Sequence, residues 1–309
     1  MRLGLAHLVD PRLLPAAAAS RAFYDSRVPG RGPSSRAELE TARAAVPTPA
    51  PAHPPPLTEV VRADGRSVPV RIHLPAARPP SGVVLQLHGG GYYLGTAAAD
   101  DVRNRRLADA VGVAVVSVDY RLAPEHPWPA APDDCATAAL WLAEHAGERF
   151  GTTDLALLGH SAGSTLAMTT LLRLRDRGLS PFRTAVLPFG TYDLSGRTPA
   201  GRRIAGEYFL DAYAGHVADR THPDLSPAFA DLAGLPPVLV VVGTEDVLLD
   251  DNLAMAARLA AAGVDVELSV YPEAPHGFTV HPTALARAAA DERDAWLRTH
   301  LGDRHRGRP

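Results

Sequence analysis

Lysine is absent from all 309 residues: the 31 basic residues are all arginine, set against 34 acidic ones for a formal net charge of -3. A near-neutral chain of this kind carries no electrostatic signature of nucleic-acid or acidic-membrane binding. With a single cysteine, Cys135, no intramolecular disulfide can form. Its place in "DDCATAALWLAEHA" predicts a small buried side chain on a helix. Aromatic residues make up only 6% of the chain. No apolar run approaches the ~18 residues that would span a bilayer. The opening "MRLGLAHLVDPRLLPAAAAS" interrupts its apolar stretch with Asp10, Pro11 and Arg12, a poor pattern for a secretory leader, so a cytoplasmic protein is expected.

What the chain does have is order. After one or two amphipathic helical pieces and the polyproline-like "VPTPAPAHPPP" (Val46–Pro56), the pattern changes at Thr58. Two alternating strands flank Ala63-Asp64-Gly65, a hairpin signal. Short apolar runs then follow at Val83–Leu87, Val113–Val118, Leu155–Leu158, Thr184–Leu187, Val238–Val242 and Val264–Val270. Between most of them lie stretches of helical spacing: Pro132–His145, Ala162–Arg175 and Asp251–Ala262, with a last helix over about Thr283–Leu301. Buried β-branched runs alternating with helices predict an α/β fold with a mostly parallel central sheet covered on both faces. The interval from Phe189 to Leu235 carries no strand signal and is too long for a bare loop, which predicts an inserted helical element or lid.

"LALLGHSAGSTLAMTTLLRLR" places Gly159-His160-Ser161-Ala162-Gly163 where an apolar run gives way to a helical pattern. A serine on such a strand-to-helix turn has its hydroxyl exposed at the head of a helix, the arrangement of a nucleophile elbow. The competing structural role is a helix N-cap. A serine nucleophile needs a base, and the base an orienting acid, supplied in hydrolase order by loops beyond later strands. Asp246, just past the Val238–Val242 run, is the expected acid, with Glu245, Asp250 and Asp251 as competitors. His276, after the final strand and beside Gly277, is the expected base, with His281, His216 and His222 as alternatives.

The three glycines of "LQLHGGGYYLG" pack nothing and are hard to order, so the bare backbone is what the site uses. Gly90 and Gly91, with Ala162 from the elbow, are the expected N–H donors to an oxyanion. Tyr92, Tyr93, Tyr208 and Phe209 are expected pocket walls.

Taken together, "HGGGYYLG", "VDYRLAPEHPWPAAPDD", "GHSAGS", "GTEDVLLDDN" and "PHGF" resemble the successive motifs of the bacterial hormone-sensitive-lipase-like esterases, a branch of the α/β-hydrolase fold. The resemblance implies Ser161, Asp246 and His276 as catalytic residues, and hydrolysis of short- to medium-chain acyl esters without metal or cofactor. It also implies an N-terminal cap segment and Pro-rich linker over residues 1–57, a catalytic domain over 58–305, and a cap insertion at about 190–222. The expected partner is a small-molecule ester, with no nucleic acid and no membrane span, for a monomer or homodimer. "DYRLAPEHPWPA" is expected to shape the turn behind the glycine loop. The sequence departs from the family pattern at His160, where Asp is common, and at Ser164, where Gly is common. His160 is expected to point back into the protein in a supporting role. The same triad on an amide, lactone or pathway-specific ester, a dehydratase or acyltransferase use of it, and a non-catalytic binder on this scaffold are the alternatives.

Overall fold

Asp64 and Gly65 both take positive φ, 52° and 72°, the pair that a tight two-residue hairpin turn needs. They join β1 (Leu57–Ala63) to β2 (Arg66–His73), in the computed structural model that describes residues 4–27, 32–46 and 51–301. Six further strands follow among the described residues: β3 (Val83–Leu87), β4 (Ala114–Val118), β5 (Leu155–Gly159), β6 (Phe182–Pro188), β7 (Val238–Glu245) and β8 (Val266–Pro275). They form one sheet in the order β1-β2-β4-β3-β5-β6-β7-β8. The hairpin is antiparallel, β2 meets β4 antiparallel, and every pairing from β4 through β8 is parallel. The expected α/β-hydrolase architecture is therefore present.

The helices are α1 (Leu5–Leu8), α2 (Leu14–Asp25), α3 (Arg36–Ala44), α4 (Asp101–Leu107), α5 (Ala130–Phe150), α6 (Ala162–Asp176), α7 (Pro199–Ile204), α8 (Tyr208–Ala214), α9 (Leu249–Ala261) and α10 (Ala284–Leu301). Because strand side chains alternate, each parallel strand feeds two cores. Val83, Leu85, Val116 and Leu157 face the layer that holds Cys135, Leu142, Met168 and Met255 of α5, α6 and α9. Val84, Val115, Leu158 and Val241 face Ala17, Leu107, Leu285 and Leu297 of α2, α4 and α10. Burial on both sides is why these strands read as continuous apolar runs. No helix among the described residues is long and apolar enough to cross a membrane.

Two features differ from the sequence reading. The connection from β3 to β4 is helical, with α4 running into a wide turn at Ala108–Gly112. β8 continues to Pro275, so His276 follows the strand directly. Of the Pro-rich segment, residues 47–50 lie outside the described residues, as does the end of the expected catalytic domain at 302–305.

Candidate active site

β3, β5, β6, β7 and β8 are parallel, so their C-terminal ends lie on one side of the sheet, where open α/β sheets bind ligands. Ser161 sits there between β5 and α6, with φ 52° and ψ −119°, and its side chain makes no cap bond to the helix. So sharp a turn leaves no room beside it. A Cβ on Gly159 would lie 2.2 Å from the carbonyl oxygen of Gly163, and one on Gly163 would lie 2.2 Å from that of Leu87 at the end of β3. Both are main-chain obstacles that no rotamer can avoid. The turn is tied to β6, since the Ser161 N–H donates to the Pro188 carbonyl at 3.0 Å. The Ser164 hydroxyl donates to the same carbonyl at 2.8 Å, which gives the family-atypical serine a structural task.

Freed from capping, the Ser161 hydroxyl lies 3.0 Å from Nε2 of His276. On the other side of the ring, Nδ1 lies 3.1 and 3.0 Å from the two carboxylate oxygens of Asp246. The Asp246 side chain is fully buried, and Oδ1 also accepts the Leu248 N–H at 2.8 Å. The carboxylate is thus aimed by its own loop. Phe189 meets the imidazole edge-on at 5.1 Å. The competitors lie elsewhere: Glu245 is exposed, Asp250 pairs with Arg203 at 2.9 Å, and Asp251 accepts from Thr198 at 2.8 Å. His281 packs on Phe23 and Tyr24, and His216 and His222 pack on Trp128.

The glycine loop faces this group. Gly90 has φ +120° and Gly91 φ +59°, and a Cβ on Gly90 would lie 2.2 Å from the Leu94 carbonyl oxygen. Among the described residues, the N–H groups of Gly90, Gly91 and Ala162 donate to no protein acceptor. Three sides hold the loop. The Leu94 N–H donates to the Gly90 carbonyl at 2.8 Å. The Tyr120 ring stacks on His88 at 4.1 Å, and its hydroxyl donates to the His88 carbonyl at 2.7 Å. The Ala123 N–H donates to the Tyr92 carbonyl at 3.0 Å, so the "DYRLAPEHPWPA" segment does lie behind the loop.

A further support was not legible in the sequence. Arg43 of α3 donates to the carbonyls of Tyr93 at 2.9 Å and Ala123 at 2.7 Å, and pairs with Glu125 at 3.0 Å. One guanidinium therefore fastens the N-terminal helix to both layers of the loop.

Ser161 and His276 open into a cleft of about 650 Å³. Tyr93 and Phe209 line it, as expected, but Tyr92 and Tyr208 do not. Tyr92, at φ +63°, turns away and stacks on Tyr213 at 4.0 Å within the core. Tyr208 meets the edge of Tyr93 outside the cleft wall. Burial, with Glu207 and Tyr208 nearby, pushes the Tyr93 hydroxyl up to about 12. The sequence reading also missed Ile204, Val247 and Leu248 on the cap-side wall. His160, expected to point back into the protein, is among the residues lining the cleft and is half-buried.

Comparison with known proteins bears on the fold and the family. The family described as alpha/beta hydrolase fold matches residues 84–280. A carboxylesterase of Mycobacterium tuberculosis is 36% identical over 259 residues, covering 76% of this chain and 81% of the relative. An ethyl acetate hydrolase of Pseudomonas putida is 36% identical over 231 residues, covering 70% and 72%. Among solved structures, an esterase of the bacterial hormone-sensitive lipase family superposes with a TM-score of 0.71 at 30% identity, covering 95% of this chain and 99% of that one.

Proposed function

The chain belongs to the hormone-sensitive-lipase-like esterases of the α/β-hydrolase fold, and from that premise we propose that it hydrolyses short- to medium-chain acyl esters with Ser161 as nucleophile, His276 as general base and Asp246 as orienting acid. The observation that carries this reading is the continuous relay from Ser161 Oγ through His276 to the buried Asp246 carboxylate, with contacts of 3.0 Å on each side of the ring.

His276 takes the serine proton as Oγ attacks the ester carbonyl, and Asp246 fixes the ring tautomer and stabilises the imidazolium that forms. The oxygen of the tetrahedral intermediate takes its hydrogen bonds from Gly90, Gly91 and Ala162, whose N–H groups lack other acceptors. Fixed donors of this kind need no reorganisation as charge develops. His276 then protonates the departing alcohol, leaving an acyl-Ser161 ester that water cleaves by the same route. Residues 190–222 are read as the cap over the catalytic domain, whereas α2 of the N-terminal segment packs on α10, where the Ser20 hydroxyl accepts the Leu285 N–H at 3.1 Å. The cap contributes Ile204 and Phe209 to an apolar wall suited to an acyl chain.

Chromogenic acyl esters from acetate to decanoate, assayed on the wild type and on Ser161→Ala, test the reading. The wild type is expected to be most active on the shorter half of the series, and the variant to lose at least about ten-thousand-fold in kcat. A Ser161→Ala enzyme within tenfold of wild type overturns the mechanism.

A further inference from the structure

Besides His276, two imidazoles line the cleft, and they differ in kind. His88 is fully buried: Tyr120 stacks on it, Nδ1 donates to the Gly89 carbonyl at 2.8 Å, and Nε2 is enclosed without a hydrogen-bond partner among the described residues, out of reach of a ligand. His160 is not. Among the described residues no protein group hydrogen-bonds its ring, although it is half-buried next to Ser161. Burial pushes its pKa down to about 4 against the opposing pull of the Asp100 carboxylate. The ring is therefore neutral at ordinary pH and presents one N–H donor and one lone-pair acceptor to the cleft.

The surroundings narrow what would satisfy it. Asp100 and Arg103 line the same cleft and pair with each other. Asp100 is held in place by the Gln86 amide at 2.7 Å, and Gln86 by the Ser117 hydroxyl at 2.5 Å. This wall is polar yet has no net charge, so it favours a neutral hydrogen-bonding group over an ion. The apolar wall, with Ile204 and Phe209 of the cap and Val247 and Leu248 of the loop after β7, offers an acyl chain its surface. The rings of His160 and His276 both pack on Phe189, at 6.3 and 5.1 Å. His160 therefore shares the Phe189 wall with the base that must hand a proton to the departing oxygen, and the alcohol portion of the ester is assigned to that wall.

We propose that His160 is a specificity-determining residue that hydrogen-bonds a hydroxyl on the alcohol portion of the substrate, favouring esters of polyols over esters of plain alkanols. The proposal rests on the serine-esterase reading above and adds to it the chemistry of the leaving group. A hydroxyl matches the neutral ring because it too donates once and accepts.

The test compares kcat/KM for 2,3-dihydroxypropyl butyrate and propyl butyrate, which share the acyl group and the carbon skeleton of the alcohol. The ratio of the two is expected to fall about threefold to tenfold in His160→Leu, the size of one net hydrogen bond. His160→Asn, which keeps a donor and an acceptor, is expected to recover most of it. Reading a ratio removes any general loss of rate from the substitution. If His160→Leu does not fold, His160→Phe, which keeps a ring beside Phe189 without its nitrogens, serves the same comparison. An unchanged ratio in the leucine or phenylalanine variant overturns the proposal. A His160-dependent preference that appears only between propyl 3-hydroxybutyrate and propyl butyrate overturns the alcohol-side assignment. A wild type that hydrolyses neither butyrate ester sinks the esterase reading itself, a different failure from the first two.

Discussion

The floor of the cleft and its cap are built by different means. On the floor, main chain meets main chain: the elbow abuts the end of β3, and the glycine loop abuts the elbow, where a Cβ on Gly89 would lie 2.8 Å from the His160 carbonyl oxygen. The cap is two short helices, α7 and α8, attached mostly through side chains, with one main-chain bond from the Trp128 N–H to the Tyr213 carbonyl at 2.9 Å. Thr198 donates to Asp251, and the half-exposed Arg203 pairs with Asp250. A Cβ pressed against main chain cannot be relieved by a change of rotamer, whereas side-chain contacts can be exchanged for others of similar size. The floor therefore fixes the reaction, and the cap can vary with the substrate.

The sharpest way to break this contrast is the same substitution in both regions. Gly163→Ala forces a Cβ against the Leu87 carbonyl and must separate the elbow from β3. A displacement of that order is expected to lower kcat/KM by about a hundredfold or more on every ester and to cost roughly 1–3 kcal/mol of stability. Gly206, between α7 and α8, has nothing within 4 Å of its added Cβ, and Gly206→Ala is expected to stay within twofold. Equal losses in kinetics and denaturant unfolding would erase the distinction.

His160, at the border of floor and cleft, gives an intermediate effect. Its pKa is about 4 in the fold and near 6.5 in an unfolded chain. Between those values the unfolded state binds more protons, so stability is full above pH 6.5 and falls as pH is lowered towards 4. The loss from pH 7 to pH 5 is at most about 2 kcal/mol, and His160→Asn is expected to reduce it. Urea midpoints of both proteins at the two pH values measure the difference, and identical pH slopes would remove His160 from the account.

The smallest effect belongs to the cap. Phe209→Ala opens the apolar wall and is expected to change the octanoate-to-acetate ratio of kcat/KM by roughly threefold to tenfold. A uniform drop across chain lengths would mean that Phe209 supports the floor.

The same division explains what could be read in advance. The strands were legible because burial on two faces leaves an uninterrupted apolar run, and the elbow because backbone crowding admits only glycine at Gly159 and Gly163. Asp246 and His276 followed from their places after strand ends. Arg43 was invisible, since a guanidinium that bridges carbonyls 50 and 80 residues away leaves no periodic mark. Tyr92 and Tyr93 looked equivalent, and only the positive φ of Tyr92 sends one ring to the core while the other reaches the cleft. The α4 segment was missed because "DDVRNRRLADAVG" pairs a narrow apolar stripe with many arginines, and its helicity comes from packing more than from pattern.

The tie from the Ser161 amide to the end of β6 has a consequence in time. The hydroxyl is aimed only once β3, β5 and β6 lie side by side, and its partners hang from β7 and β8, so a half-assembled sheet holds all the reagents and none of the alignment. In a refolding experiment, product release would then lag behind the return of helical circular dichroism. Turnover would serve as a clock for the last strand to dock.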